Sequence, residues 1–224
     1  MKKILLVALI LFSSGNALAA EVSIFAGPYV GVDVGYSKGD IKGYETTDGA
    51  PYGYGVFEGS NSSFIFGGLA GHNLSLSNGF VLGFEADFEN RNVKKTNLLL
   101  PELVDALETK IKKAGSVRVR LGRVFNSDKT MAYLTGGYAA ADISKNYTLS
   151  FQPFSQSQWQ SGFTAGFGIE HFVNDAISFK TEYRYSDYGK SSLDNITLGS
   201  QSGNSEHFKY DNEHSFRLGL IYHF

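Results

Sequence analysis

Charged residues in this 224-residue chain recur at intervals of two. Glu85 and Asp87, Arg118 and Arg120, and Lys180, Glu182 and Arg184 each share one face only if the backbone is extended, because strand side chains alternate between two sides. Carboxylates and guanidinium groups gathered on one such face either pair with one another away from water or lie solvated and contribute little. A second set of reactive types lies near the C-terminus, where His207 and His214 accompany Ser205, Asp211 and Ser215. A nucleophile, a base and an orienting acid could be drawn from these five, but Ser, Asp and His are common in any polar loop and no motif fixes their geometry. The stretch GAPYGYG (49 to 55) lacks the strand-to-helix setting and the lysine of a phosphate-binding loop. The chain has no cysteine, so disulfides and thiolate metal sites are excluded. No catalytic residue, metal or cofactor is expected.

The elements that position these charges are eight segments with a period of two: 28 to 38, 63 to 74, 80 to 91, 115 to 126, 130 to 145, 158 to 173, 176 to 188 and 213 to 224. Their connectors alternate in length. SLSNG, NSDK and VND, between segments two and three, four and five, and six and seven, are tight turns of Asn, Asp, Ser and Gly. The connectors around 39 to 62, 92 to 114, 146 to 157 and 189 to 212 are long and polar. Short turns at one end and long loops at the other form the pattern of an up-and-down β-barrel, and of the transmembrane kind in particular.

A soluble barrel and a membrane barrel are inside-out versions of each other. Phe80, Leu82, Phe84, Ala86 and Phe88 alternate with Val81, Gly83, Glu85, Asp87 and Glu89, and Phe216, Leu218, Leu220, Tyr222 and Phe224 alternate with Ser215, Arg217, Gly219, Ile221 and His223. A lipocalin-like barrel would turn the apolar set inward; the aromatic load, with 13 Tyr and 18 Phe, and the one-sided long loops favour lipid on that face. Segments two and five, rich in Gly and Ala, do not declare their faces. Asp33, Glu85, Asp87, Arg118, Arg120, Lys180, Glu182, Arg184 and Arg217 then fall near mid-strand and Glu170 lower, where a charge persists only as a hydrogen-bonded pair inside. Closing the last segment on the first brings Arg217 toward Asp33. An eight-stranded barrel is just wide enough for side chains to fill, so a packed polar core is expected. His72, His171 and His223 fall toward the short-turn end and read as wet interfacial anchors.

Lys2 and Lys3, the apolar run Ile4 to Phe12 and the small-residue site Ala17-Leu18-Ala19 read as a secretory signal peptide over 1 to 19, cleaved between Ala19 and Ala20, leaving 20 to 224 as the barrel domain. Cleavage removes two lysines and no acid, so the net charge moves from −2 to −4, and nothing indicates a nucleic-acid partner.

The stretches GGLAGHNLSLSNGFVLGFEADF (67 to 88), GSVRVRLG (115 to 122), AYLTGGYA (132 to 139), FGIEHF and FKTEYRYSDYG (within 167 to 189) and the ending FRLGLIYHF resemble, in order, the outer-membrane immunogenic protein family. Its members are small surface barrels of Gram-negative bacteria, often labelled "porin family" and akin to the OmpA transmembrane domain and the opacity proteins. The resemblance implies an all-β, eight-stranded antiparallel up-and-down transmembrane barrel in the outer membrane, with the lipid bilayer and the outer-membrane assembly machinery as partners. It further implies that Arg217, Gly219, Tyr222 and Phe224 serve as the C-terminal assembly signal. The implied roles are envelope integrity, surface antigenicity and adhesion through loops that meet host or envelope proteins. Alternatives are a narrow pore for small solutes and a hydrolase or acyltransferase sited at the rim. In the second long connector, Leu100, Val104, Leu107 and Ile111 stand at helical spacing with Pro101 at a possible first position, acids early and Lys110, Lys112 and Lys113 late, so two readings stand open: a helix over 101 to 113, or Leu98 to Leu100 extending the strand with the rest a mobile loop.

Overall fold

The computed structural model describes residues 23–47, 50–51, 57–91, 95–100, 105–125, 128–149, 152–198 and 201–224. Eight long strands make the wall: β1 (Gly27–Thr47), β2 (Phe57–Ser75), β3 (Phe80–Arg91), β4 (Asp105–Phe125), β5 (Thr130–Leu149), β6 (Gln152–Phe172), β7 (Ile177–Asp187) and β8 (Gln201–His223). Each pairs antiparallel with its sequence neighbour. β8 returns to β1 along a ladder running from Tyr29 opposite His223 to Thr47 opposite Asn204. The sheet therefore closes on itself, which is what removes the unpaired edge that lipid cannot hydrate.

The short turns have the expected chemistry. In the β2–β3 turn Asn78 and Gly79 have φ of 61° and 72°, the left-handed region that Asn tolerates and Gly favours. Asn174 Oδ1 accepts the Ala176 and Ile177 amides at 3.0 and 2.9 Å, so its side chain builds the β6–β7 turn.

The long connectors are shorter than their polarity suggests, because strands run into all four of them. Ala50–Pro51 adds to β1, Lys95–Leu100 to β4 and Lys190–Leu198 to β8. Residues 105 to 113 are strand, so the helical reading of 101 to 113 does not hold there; 101 to 104 lie outside the described residues. The physical reason is that this stretch has partners on both edges, Lys95–Leu100 on one side and β5 on the other. A lone helix shorter than about 12–15 residues is marginal, whereas every rung of a two-sided ladder satisfies backbone groups. The segment 1 to 19, the Ala19–Ala20 junction and residues 52 to 55 of the Gly-rich stretch also lie outside the described residues.

The faces resolve as the alternation demands. Val32, Val34, Tyr36, Phe64, Phe66, Phe84, Phe88, Val117, Val119, Phe167, Phe179, Phe216 and Leu218 are exposed on the outside, while the charges are buried inside. β2 and β5, undeclared by sequence, turn Phe64, Phe66, Leu134 and Tyr138 outward and Ile65, Leu69, Tyr133 and Ala139 inward.

Candidate functional site

Strand alternation delivers a charged core to the lumen. Asp33, Glu85, Asp87, Arg118, Arg120, Glu170, Lys180, Glu182, Arg184 and Arg217 are all buried, the most accessible of them at 8%. Glu85 lies directly opposite Arg118 in the β3–β4 ladder and the two are ion-paired. Most of the other contacts cross the lumen. Lys180 on β7 reaches Glu85 on β3 at 3.1 Å, and Arg118 on β4 reaches Glu182 on β7 at 2.8 Å. Arg184 on β7 bonds Asp87 on β3 at 3.2 Å and its neighbour Glu182 at 2.7 Å. Arg120 on β4 meets Glu170 on β6 at 2.6 Å. Toward the long loops, Arg217 on β8 pairs with Glu89 on β3, and Asp33 stands 3.5 Å from the same guanidinium.

Sequence reasoning missed part of this core. Glu89, Arg91 and Glu213 are as buried as the rest, with Arg91 bridging Glu89 on its own strand to Glu213 across the barrel and also donating to the Tyr188 hydroxyl at 3.0 Å. The alternation already set Glu89 on the face of Glu85 and Asp87 without counting it in the charged set, and Arg91 is the next residue of that parity, which was the signal that could have found it. Among the described residues seven buried carboxylates meet six buried cations, so the confined charge is nearly compensated. Asp87 bonds Arg118, Arg184 and Ser116, whereas Arg120, two residues along from Arg118 on the same face, takes Glu170. The reason is depth: Arg120 lies opposite Gly83 in the ladder, nearer the short turns than Asp87, which lies opposite Ser116.

Phenols fill what the charges leave. Tyr29 donates to Glu85 at 3.0 Å and Tyr133 to Glu182 at 2.8 Å, while the Arg120 guanidinium lies 4.1 Å from the Tyr133 ring centroid. Each ring lies over a glycine directly opposite on the next strand, Tyr29 on Gly71 and Tyr133 on Gly168. A Cβ at Gly168 would stand 2.6 Å from Tyr133 Cζ, so these two positions admit only glycine.

Below the charges sits an apolar stopper that the sequence did not announce. Phe25, just before β1, is completely buried with Val81, Met131, Tyr133 and Phe172, its ring 4.8 Å edge-on from Phe172. Asn73 holds the Phe25 carbonyl at 2.9 Å. His223, expected as a wet anchor, instead points inward and contacts Glu170 at 2.9 Å and Ser178 at 3.1 Å, because its position shares parity with Arg217. His72 and His171 are exposed on the outside.

Of the rim set, the two residues whose side chains are described stand on opposite faces of the wall. His214 faces outward and hydrogen-bonds the Tyr183 hydroxyl at 2.6 Å, while its neighbour Ser215 is buried on the opposite face. The side chains of Ser205, His207 and Asp211 lie outside the described residues. Of the C-terminal set, Arg217 and Gly219 face the lumen, whereas Tyr222 and Phe224 face out with their rings 5.1 Å apart, edge-on. No group of three or more His, Asp or Glu among the described residues is arranged to hold a metal ion.

A family model described as outer membrane protein beta-barrel domain matches residues 4–224. The chain belongs to that family. Its relatives within the family include a 31 kDa outer-membrane immunogenic protein of Brucella melitensis, 30% identical over 251 residues and covering 100% of both chains. A 25 kDa outer-membrane immunogenic protein of the same organism is 30% identical over 200 residues, 89% of this chain and 79% of the relative. A 22 kDa outer membrane protein of Rhizobium leguminosarum is 29% identical over 184 residues, 81% of this chain and 77% of the relative. Among solved structures, the outer membrane protein OprG of Pseudomonas aeruginosa superposes with a TM-score of 0.57 at 14% identity, covering 89% of this chain and 96% of OprG, a likeness of fold. With the apolar face outward and the family established, this is an integral β-barrel of the outer membrane, and the soluble lipocalin-like arrangement is excluded.

Proposed function

We propose that the protein is a closed, non-enzymatic surface barrel that contributes to envelope integrity and presents its long hairpins for contact with host or envelope proteins. One observation carries the reading: the ion pairs cross the lumen between strands that are not neighbours, with side chains at 3% exposure or less. A channel needs a hydrated path, and side chains bonded across the lumen above a phenylalanine stopper argue against one. The separation of His214 from Ser215 by the wall supports the non-enzymatic part.

In this reading residues 1 to 19 direct export, the assembly machinery reads the last strand, and both mature termini face the periplasm with the hairpins around 39 to 62, 92 to 114, 146 to 157 and 189 to 212 outside. Short turns are periplasmic and long loops external in barrels of this class. The test is labelling of tags placed in those four segments. Labelling on intact cells is expected; labelling only after permeabilisation would overturn the orientation. A binding screen of loop-deleted against parent cells then asks which partner the hairpins meet.

A further inference from the structure

The outward face of β2, β1, β8, β7 and β6 carries a continuous aromatic row. Phe64, Tyr36, Phe216, Tyr183 and Phe167 lie directly opposite one another in successive ladders. Such girdles mark the level where acyl chains give way to headgroups. One row further toward the long hairpins the outward residues are Ser62, Lys38, His214, Tyr185 and Ala165. Two residues of strand span about 7 Å, so Lys38 and His214 stand at headgroup height.

We propose that Lys38 and His214 form a site for the phosphate group of an outer-leaflet glycolipid, a site that rests on the orientation proposed above. The two residues are direct cross-strand partners on adjacent strands, so their side chains leave the wall side by side. His214 is held rather than free. Its ring lies 6.0 Å from the Tyr183 centroid and 5.4 Å edge-on from that of Tyr185, and its Nδ1 is 2.6 Å from the Tyr183 hydroxyl. A phenol is a better donor than acceptor, so Tyr183 donates to Nδ1 and the imidazole proton resides on Nε2, where it is a donor. Tyr185 is itself fixed, donating to Asn212 Oδ1 at 2.6 Å. The site thus offers an ammonium and an N–H donor, with no carboxylate in its row. The next outward residue on β7, Asp187, turns its Oδ1 to the Gly189 amide, which it accepts at 2.8 Å, one row further from the lipid. A phosphate monoester matches two adjacent donors of which one is cationic, and the aromatic row beneath suits the acyl chains attached to it.

The experiment is native mass spectrometry of the purified, folded barrel in detergent, titrated with bisphosphorylated lipid A, with its dephosphorylated form and with inorganic phosphate. The parent is expected to hold the phosphorylated lipid about tenfold more tightly than the dephosphorylated one, and Lys38→Gln with His214→Gln to lose about that factor. Lys38→Arg with His214→Arg is expected to retain binding. Both side chains point away from the core, and heat-modifiable migration verifies folding; should the double variant not fold, Lys38→Gln alone is read, with a partial loss expected. Equal affinity for the two lipid forms, an unchanged Gln variant, or displacement by inorganic phosphate at comparable concentration would each overturn the proposal. Orientation does not enter a detergent measurement, so failure here and failure of the cell-labelling test are separate results.

Discussion

Arg120 stands 2.6 Å from Glu170 and 3.4 Å from Glu85, with no contact to Asp87. Truncating Arg120 to alanine takes the guanidinium from Glu170 and leaves that buried carboxylate with Ser178 and His223 alone, which is expected to cost up to about 3–5 kcal/mol in urea unfolding from lipid vesicles. Removing Glu170 as well should recover much of that loss, so the Arg120→Ala and Glu170→Ala cycle is expected to be strongly non-additive, and the cycle with Asp87→Ala close to additive. Additive behaviour with Glu170 would show that the cross-lumen pair carries no coupling. At this scale the sequence was legible through parity alone. It placed ten charges on one face and brought Arg217 toward Asp33, but it did not place the partners across the lumen, because these depend on depth and strand tilt, which periodicity does not encode. It also missed His223 and Tyr29, since neither imidazole nor phenol declares whether it belongs to an interface or a core.

The strands themselves were the most legible part, their period of two being reinforced by turn chemistry at 75 to 79, 126 to 129 and 173 to 175. Their upper ends were not, since a polar stretch paired as a hairpin in water has the composition of a loop, and residues 105 to 113 carried helical spacing by accident of a sequence with partners on both sides. The final strand poses a separate question. Phe224 is 73% exposed toward lipid and its amide bonds the Pro28 carbonyl at 3.1 Å. Deleting it removes a modest apolar contact, on the order of 1.5–3 kcal/mol at most. If the last strand is read during assembly, the folded yield in cells should fall far more than the stability of the protein refolded in vitro. Equal heat-modifiable folded bands for deletion and parent would reduce Phe224 to an ordinary lipid-facing residue.

As a whole molecule the barrel inverts a soluble protein: an apolar exterior around a core of compensated charge. Alternating short and long connectors and the aromatic load made this architecture readable from the chain. The closure at the short-turn end was not, because Phe25 precedes the first strand and only the folded barrel shows that it turns beneath the lumen to meet Phe172 and Met131. Core and stopper together predict that nothing larger than isolated water passes. Single-channel recording of the heat-modifiable, folded protein in planar bilayers measures this directly. A steady baseline without discrete steps is the expected result, and reproducible unitary conductance from the parent protein would contradict a lumen closed by its ion pairs.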